Sequence, residues 1–389
     1  MRTADAIVEI LKREGVSTLF CFPTTPLIEN AVAAGIRPII CRQERVGVDM
    51  ADGFARVTNG KPPGVFMMQY GPGSENAFPG IATTFSDSVP VLFLPLAHAR
   101  DQSQVFPTFS SNRTYASVTK QVEEIVVPHA TTSAMRRAFN ALRNGRPGPV
   151  MVEVPRDIVD LDAGEDATSY RPIPPTISAP NHQDVDAAAK LLLAASHPMI
   201  LAGQGVLYAE ASDELTELAD LLQAPVMTTV DGKSAFPEDH PLALGSGGNT
   251  FNGPGRLFLH TKTDLIFGIG CGFTKHPLTT PTLPANVPII HARGAVVAGC
   301  QVVRAGCSAV RAVGCVTETA RGAVVAVGGV VRARCSAVCT IGGVGKAGRS
   351  AVVAVGGVFR ARRGAVGAVG CVSVAGRSAV VGVLTRRVL

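Results

Sequence analysis

Residues 38–56 read Pro-Ile-Ile-Cys-Arg-Gln-Glu-Arg-Val-Gly-Val-Asp-Met-Ala-Asp-Gly-Phe-Ala-Arg, an apolar run followed by a segment of mixed polarity. The run at 38–41 predicts a short buried strand. Apolar residues then recur every four positions at Val46, Met50 and Phe54, which predicts one face of a helix over 46–56. Glu44 therefore lies in the turn between a strand and a helix, where the partial positive charge of the helix start favours a carboxylate.

Strands and helices alternate on both sides of this stretch. We predict helices at 4–14, 27–34, 46–56 and 77–85, and strands at 16–22, 38–41, 64–68, 90–95 and 149–154. This alternation favours a mostly parallel sheet with helices on both faces. We therefore expect one complete α/β domain over residues 1–160.

A second α/β unit follows a segment rich in Pro, Ser and Asp at 161–184, which is typical of an interdomain linker. Its predicted helices lie at 184–195 and 212–222, and its strands at 198–202, 225–230, 264–270 and 287–291. We expect residues 185–292 to form a Rossmann-like central domain that is incomplete, because no further strand and helix can be identified after 291. The fold class is thus two doubly wound, mostly parallel-sheet α/β domains followed by a tail.

The tail, residues 293–389, has a different composition from the rest of the chain. It holds thirteen Arg and one Lys against a single Glu, so its net charge is +13, which leaves −7 for residues 1–292 out of a total of +6. The basic character therefore belongs to the tail. The mildly acidic remainder does not suggest a nucleic-acid-binding protein.

The tail is a low-complexity repeat with a period of 14 residues. Arg-Gly-Ala-Val, Cys-Ser-Ala-Val or Arg-Ser-Ala-Val recurs at 293, 307, 321, 335, 349, 363 and 377. A tandem array suggests a solenoid, but these units lack the Pro, Asn and Asp of solenoid corners and most of the large side chains of a stacked core. Our preferred hypothesis is a GC-rich DNA repeat read in an unselected frame, by frameshift or by truncation and read-through, which gives a frameshifted or disordered tail, with a β-solenoid as the alternative. Comparing the other two reading frames of the gene tests it.

Cysteine usage and hydropathy indicate the compartment. Six of the nine cysteines lie in the repeats with no accompanying His, so they indicate neither disulfides nor zinc. Cys21, Cys41 and Cys271 have apolar surroundings and are predicted to be buried thiols. No signal peptide or membrane span is evident, so we expect a cytoplasmic protein.

Three loops that follow predicted strands, at 23–26, 42–45 and 69–76, should converge at one edge of the first sheet, because open α/β sheets bind ligands at the carboxyl ends of their strands. The Gly71-Pro72-Gly73 segment allows close approach to the backbone, although by itself it also fits a plain turn.

Several motifs in one order resemble thiamine-diphosphate enzymes, above all acetolactate synthase. In the first domain these are Ile7-Val8-Glu9, Gly15-Val16, Phe22-Pro23, Arg42-x-Glu44 with Met50 to Arg56, Gly71-Pro72-Gly73-x-x-Asn76, Asp87-Ser88-Val89-Pro90 and Gly145 to Val150. In the second they are Ile200 to Val206 and Val226 to Pro241. The resemblance covers residues 1–292 and implies a pyrimidine-binding domain over 1–160 followed by the family's central domain.

The resemblance implies thiamine diphosphate as cofactor and Glu44 as the catalytic residue. In the family, this glutamate hydrogen-bonds the aminopyrimidine and favours the tautomer that removes the C2 proton. The carbanion so formed attacks a small 2-oxo acid, which is then decarboxylated or joined to a second molecule. By the same resemblance the cofactor-binding residues are Pro23, Thr24, Gln69, Gly71, Pro72, Gly73 and Asn76.

The sequence also departs from the family. Thr24 and Thr25 stand where acetolactate synthases carry small residues, and Pro107 falls on their pocket glutamine when Lys120 is aligned with the family's lysine. The substrate therefore need not be pyruvate. No counterpart of the third, pyrophosphate domain is recognisable, so we expect no metal ligands for the family's Mg²⁺ in this chain. No contact to FAD, which some relatives bind, can be assigned.

Three interpretations remain open. The first is a carboligase or decarboxylase of the acetolactate synthase type that is truncated and inactive alone. The second is a non-catalytic subunit that pairs with a separate pyrophosphate-domain chain, and the third is a non-functional gene product. The resemblance implies a homodimer or tetramer, since in the family the cofactor lies between two subunits.

Overall fold

The structure, a computed structural model, describes residues 1–292 apart from 24–25, 104, 165, 177–179, 249–252 and 275–280. Beyond residue 292 it describes the backbone of nine strands. The chain divides into two compact units, Met1–Ile177 and Ser178–Leu389. Each unit has its own core, and the second unit contains two sheets.

The first unit contains a six-stranded parallel sheet with the order β2-β1-β3-β4-β6-β5. Its strands are β1 (Thr18–Cys21), β2 (Arg37–Ile40), β3 (Gly64–Met68), β4 (Val91–Ala97), β5 (Gln121–Glu124) and β6 (Val150–Pro155). Its helices are α1 (Thr3–Arg13), α2 (Leu27–Ala33), α3 (Glu44–Val57), α4 (Pro72–Ser86), α5 (Ser111–Tyr115) and α6 (Thr131–Arg143).

Helices cover both faces of this sheet, as predicted. On β3, Val65 and Met67 belong to one apolar core and Phe66 and Met68 to the other, since successive side chains of a strand point to opposite faces. Helices α1, α2 and α6 contribute to the first core, and α3, α4 and α5 to the second. The α/β fold class predicted for the first domain is therefore confirmed.

The two helices next to the predicted site begin earlier than predicted. Helix α3 begins at Glu44 rather than at 46. Helix α4 begins at Pro72, so residues 72–76, predicted as a loop, form its first turn. A proline at the first helical position costs no hydrogen bond, because that N–H has no partner within a helix. Gly71 precedes it with φ of +58°, a conformation that glycine adopts without strain.

The segment predicted as a linker begins on the first unit. Tyr170 is buried in its core, and its hydroxyl donates a hydrogen bond to the buried Glu14. Arg143 on α6 binds the same carboxylate and donates to the carbonyl of Ile173 at 3.1 Å. Residues up to Ile173 therefore pack against the first unit.

The second unit contains a five-stranded parallel sheet with the order β11-β10-β7-β8-β9. Its strands are β7 (Pro198–Ala202), β8 (Val226–Thr228), β9 (Ala243–Ser246), β10 (Leu265–Ile269) and β11 (Ile289–Ala292). Its helices are α7 (His182–Ala194), α8 (Gln204–Tyr208), α9 (Ser212–Leu222) and α10 (Gly253–Thr261). The doubly wound parallel arrangement predicted for this domain is confirmed.

The glycines of Gly203-Gln204-Gly205 have a packing role. A Cβ atom on Gly203 would lie 2.4 Å from the Cα of Cys271, and one on Gly205 would lie 2.8 Å from the Cα of Gly270. Both glycines therefore let the turn after β7 pass closely over the end of β10.

The backbone described beyond residue 292 forms a nine-stranded parallel sheet. Its strands are β12 (Val303–Ala305), β13 (Val310–Val313), β14 (Thr317–Thr319), β15 (Val324–Val327), β16 (Val330–Ala333), β17 (Val338–Ile341), β18 (Val344–Arg349), β19 (Val352–Val381) and β20 (Arg386–Arg387). Val303 pairs with Thr317 and Val310 with Val324, so the offset between partners equals the 14-residue sequence repeat. Such pairing is the one expected of the solenoid alternative.

Cys21, Cys41 and Cys271 are buried free thiols, as predicted. Burial raises the pKa of the Cys21 thiol to about 12 and that of Cys271 to about 11. Among the described residues, none of the helices combines the length and the apolar composition that a membrane span requires.

Candidate functional site

The predicted site lies where the strand order of the first sheet reverses. Chain order runs outward from β1 to β2 on one side and from β3 to β4 on the other. Loops that leave the carboxyl ends of β1 and β3 therefore diverge and leave a crevice, which is where open α/β sheets bind ligands. The loops after β2, β1 and β3 lie on adjacent strands at this edge, as predicted.

Glu44 is the first residue of α3 and is 5% exposed. Gln43 before it is extended, so the chain turns from β2 into the helix at this point. The free N–H groups and the dipole of the helix start stabilise a negative charge there. A buried carboxylate in this position can accept a hydrogen bond or hold a proton while water is kept away from it.

Asn76 on α4 holds one oxygen of this carboxylate. Its Nδ2 donates to Glu44 Oε2 at 2.6 Å, across 32 residues of sequence. The other oxygen faces Gly73, where an added Cβ atom would lie 3.4 Å from Glu44 Oε1 and 2.7 Å from Gln69 Cγ. Four of the predicted site residues, Glu44, Gln69, Gly73 and Asn76, are therefore neighbours.

Close packing of α3 on α4 brings these groups together. A Cβ atom on Gly80 would lie 2.9 Å from Val48, so glycine at this position lets the two helices approach. On the sheet side, a Cβ atom on Gly47 would lie 2.2 Å from the ring of Phe66. Both contacts set the height of Glu44 above the sheet edge.

Two of the remaining predicted residues, Pro72 and Pro23, are exposed. Pro72 is exposed in the first turn of α4, next to Gly71. Pro23 is exposed just after β1. Thr24, predicted to bind the cofactor, and its neighbour Thr25 lie outside the described residues.

Lys120, the residue aligned with the family's lysine, lies at the amino end of β5, opposite the edge that carries Glu44. Its Nζ donates to the carbonyls of Ala141 and Asn144 and so caps the end of α6. Burial lowers the pKa of this lysine.

A cluster that was not predicted adjoins the Gly71 turn. The rings of Tyr70 and His98 are 4.8 Å apart, and Arg156 lies over the Tyr70 ring. A Cβ atom on Gly71 would be 3.6 Å from His98 Nε2. Each of these residues follows the carboxyl end of a strand, and this position was the one signal in the sequence that could have pointed to a ligand site.

A pair of carboxyl groups, one of them buried, lies further along the same edge. Glu153 on β6 is 5% exposed and is in register with Glu124 on β5. Burial, followed by the charge of Glu124, raises the pKa of Glu153 to about 7, while a hydrogen bond with Ser111 opposes the rise. Asn112 donates to Glu124 Oε2 at 3.1 Å.

The residues around Glu44 fit the pyrimidine end of thiamine diphosphate. A buried carboxylate can bind a ring N–H, and the glycine backbone at Gly71 and Gly73 leaves room for a flat ring. Among the described residues, no group of three or more His, Cys, Asp or Glu side chains is arranged to hold a metal ion such as Mg²⁺.

Comparison with protein families agrees with this geometry. Residues 1–146, a range that contains Glu44 and Asn76, match the family model described as thiamine pyrophosphate enzyme, N-terminal TPP binding domain. Residues 185–327 match the model of the central domain of the same enzymes, so this second match extends past Ala292 into the repeats.

Individual relatives lead to the same family. The chain is 34% identical to a probable acetolactate synthase large subunit of Methanocaldococcus jannaschii, over 70% of this chain and 48% of that protein. It is 30% identical to a glyoxylate carboligase of Escherichia coli O157:H7, over 75% of this chain and 50% of that protein. It is 29% identical to a probable 2-ketoarginine decarboxylase of Pseudomonas aeruginosa, over 75% of this chain and 52% of that protein. The chain thus spans about half the length of the curated relatives it matches. With both domain models matched in order, the chain belongs to the acetolactate synthase-like thiamine pyrophosphate enzymes.

Proposed function

We propose that this chain acts in thiamine-diphosphate-dependent decarboxylation or carboligation of a small 2-oxo acid, with Glu44 as the catalytic residue. The observation that carries the proposal is the buried Glu44 carboxylate at the start of α3, held by Asn76 at 2.6 Å. Thiamine diphosphate, when bound, supplies the electron sink that decarboxylation of a 2-oxo acid requires.

Glu44 has two oxygens with different tasks in this proposal. Oε2 is occupied by the amide of Asn76, which fixes the rotation of the carboxylate. Oε1, beside Gly73, is then directed to bind the aminopyrimidine and to hold a proton there. Burial keeps water from competing for that oxygen and strengthens the interaction. Gln69, next to Gly73, is proposed to face the reacting carbon.

Mg²⁺ and the diphosphate are proposed to be held by a pyrophosphate domain supplied by another polypeptide segment. The same family relation supports a dimer or tetramer, in which such a domain meets the Glu44 edge of the first sheet. We also propose a cytoplasmic location, which the three buried free thiols support.

Exchange of the C2 proton of thiamine diphosphate with deuterated water, followed by NMR, tests the role of Glu44. The full chain is mixed with Mg²⁺, the cofactor and a pyrophosphate domain from a thiamine-diphosphate enzyme. We expect exchange faster than in buffer for the unmodified chain and no acceleration for Glu44→Gln, because an amide cannot take the proton.

The matched control is Glu75→Gln, an exposed glutamate in the first turn of α4. This variant should exchange at the rate of the unmodified chain. Equal exchange rates in Glu44→Gln and the unmodified chain, with both proteins folded, would refute the assignment of Glu44.

A further inference from the structure

Arg156 is held at the carboxyl edge of the sheet by neutral groups. It follows Pro155, the last residue of β6, and its Cζ lies 5.0 Å from the centre of the Tyr70 ring. Nη1 donates to the Tyr70 hydroxyl at 2.9 Å, and Nη2 donates to Gln102 Oε1 at 2.9 Å. The guanidinium is thus oriented by a ring beneath it and by one hydrogen bond on each side.

The positive charge of Arg156 is not balanced by a carboxylate. In the part of the chain that the structure describes, this guanidinium takes part in no ion pair, and it is exposed. Arg100 nearby shows the contrast, because its Nε lies 2.7 Å from Asp157 Oδ2. A guanidinium with neutral partners gains from exchanging one of them for a carboxylate, because the opposite charges attract and the fork can then form two parallel hydrogen bonds.

The position of Arg156 relates it to Glu44. Tyr70, on which it stacks, immediately precedes the Gly71 turn, and Gly73 in the next turn borders Glu44 Oε1. His98, the residue after β4, faces the same turn and packs against the Tyr70 ring. The cation and the catalytic carboxylate therefore lie along one continuous stretch of backbone, Tyr70 to Gly73, at the same edge of the sheet.

We propose that Arg156, oriented by Tyr70 and assisted by His98, binds the carboxylate of the 2-oxo acid substrate. The inference rests on the function proposed above and names the group that selects an anionic substrate. The guanidinium fork matches a carboxylate with two parallel N–H donors, and Gln102 is the neutral partner that the carboxylate displaces. The cluster thereby selects a 2-oxo acid over a neutral ketone of the same size.

Ligand-observed NMR titration of the full chain with pyruvate, and with the neutral ester methyl pyruvate, tests the inference. We expect the unmodified chain to bind pyruvate more tightly than the ester. Arg156→Gln should weaken pyruvate binding about tenfold and leave ester binding unchanged, because one charge-assisted contact is lost. Arg156→Lys, which keeps the charge without the fork, should restore part of the loss.

Two further variants separate anion binding from a structural role. Tyr70→Phe keeps the ring under Arg156 but removes the hydrogen bond that orients Nη1, so pyruvate affinity should fall, by less than in Arg156→Gln. Arg137→Gln removes an exposed arginine on α6 that is paired with Glu123 on β5, and it should leave pyruvate affinity unchanged. Equal affinity for pyruvate and its ester, or equal pyruvate affinity in Arg156→Gln and the unmodified chain, would overturn the inference.

Cofactor binding distinguishes this inference from the proposed function. Titration with thiamine and with thiamine diphosphate in the presence of Mg²⁺ should give the same affinities in Arg156→Gln and in the unmodified chain. A variant that loses affinity for thiamine diphosphate but keeps its affinity for thiamine would overturn the inference, because it would assign Arg156 to the phosphates. Pyruvate selectivity that depends on Arg156, in a chain that binds no thiamine compound even after the pyrophosphate domain is added, would instead contradict the proposed function and leave the anion site standing.

Discussion

Asn76 Nδ2 lies 2.6 Å from Glu44 Oε2, and this contact joins the first turn of α4 to the first residue of α3. The side-chain NH₂ group of Asn76 donates a hydrogen bond and carries no charge, so it fixes a buried carboxylate without neutralising it. One oxygen of Glu44 is thereby left to face Gly73. The reach and orientation of the proposed catalytic group therefore depend on a residue in another helix.

Asn76→Ala should weaken thiamine diphosphate binding by about tenfold, because the Glu44 carboxylate loses the hydrogen bond that orients it. Calorimetric titration in the presence of Mg²⁺ and the added pyrophosphate domain measures the change. Asn112→Ala is the matched control, since it removes an amide donor to Glu124 on the same sheet edge but away from Glu44. Equal losses in the two variants would show that Asn76 has no special role.

Gly73→Ala tests the space beside the free oxygen. The new methyl group would lie 2.7 Å from Gln69 Cγ and 3.4 Å from Glu44 Oε1, so Gln69 must move and the crevice narrows. We expect the affinity for thiamine diphosphate to fall by at least about tenfold with a change of no more than about 1 kcal/mol in the free energy of unfolding.

Gly53→Ala provides the control within α3, where an added methyl group meets no atom within 4 Å. It should raise the free energy of unfolding by about 0.5–1 kcal/mol, because alanine favours the helix, and leave cofactor affinity unchanged. Cofactor binding that is unaffected in Gly73→Ala would contradict the position proposed for the ring.

Truncation at two positions tests where the first unit ends. A chain of residues 1–177 should unfold in one cooperative transition, because this unit has its own core. A chain of residues 1–160 lacks Tyr170 and leaves the buried Glu14 without that hydroxyl donor. We expect it to be less stable by about 3–5 kcal/mol in urea unfolding, the cost of removing a large buried side chain. Equal stability would place the boundary at 160.

The elements around Glu44 could be predicted from local pattern, but their burial could not. The predicted burial of the 38–41 strand was wrong, because β2 lies at the edge of the sheet and Ile40 is 51% exposed. Helix α3 buries Val48 and Ala51, whereas Val46 is exposed. Strand 38–41 is an apolar run, and the fourfold spacing of Val46, Met50 and Phe54 describes a helix face. The start of α4 could not be predicted in the same way. Gly-Pro-Gly is typical of a turn, and its use as a helix start depends on the positive φ of Gly71 and on packing against α3.

Other features depend on tertiary contacts that a local pattern does not contain. Strand β5 has the sequence Gln-Val-Glu-Glu, which is polar for a strand, and it forms at the sheet edge by pairing with β6. Its register places Glu124 opposite Glu153, whose burial has no signal in the sequence. Arg156 and Tyr70 are 86 residues apart, so their contact likewise required the fold.

The pair of Glu153 and Glu124 predicts how the stability of the first unit depends on pH. The pKa of Glu153 is about 7 in the folded chain, above the ordinary glutamate value of 4.5, so the folded state binds more protons between these values. Its stabilising contribution is complete below about pH 4.5 and is lost as the pH rises through 7. The corresponding decrease in the free energy of unfolding is about 3 kcal/mol.

Urea unfolding of the full chain at intervals between pH 4.5 and 8 measures this dependence. Glu153→Gln is neutral at every pH, so it should remove most of the decrease and be the more stable protein at pH 8. Glu124→Gln removes the neighbouring charge and should shift the decrease to lower pH, because the pKa of Glu153 then falls. An equal decrease in Glu153→Gln and the unmodified chain would show that other groups cause it.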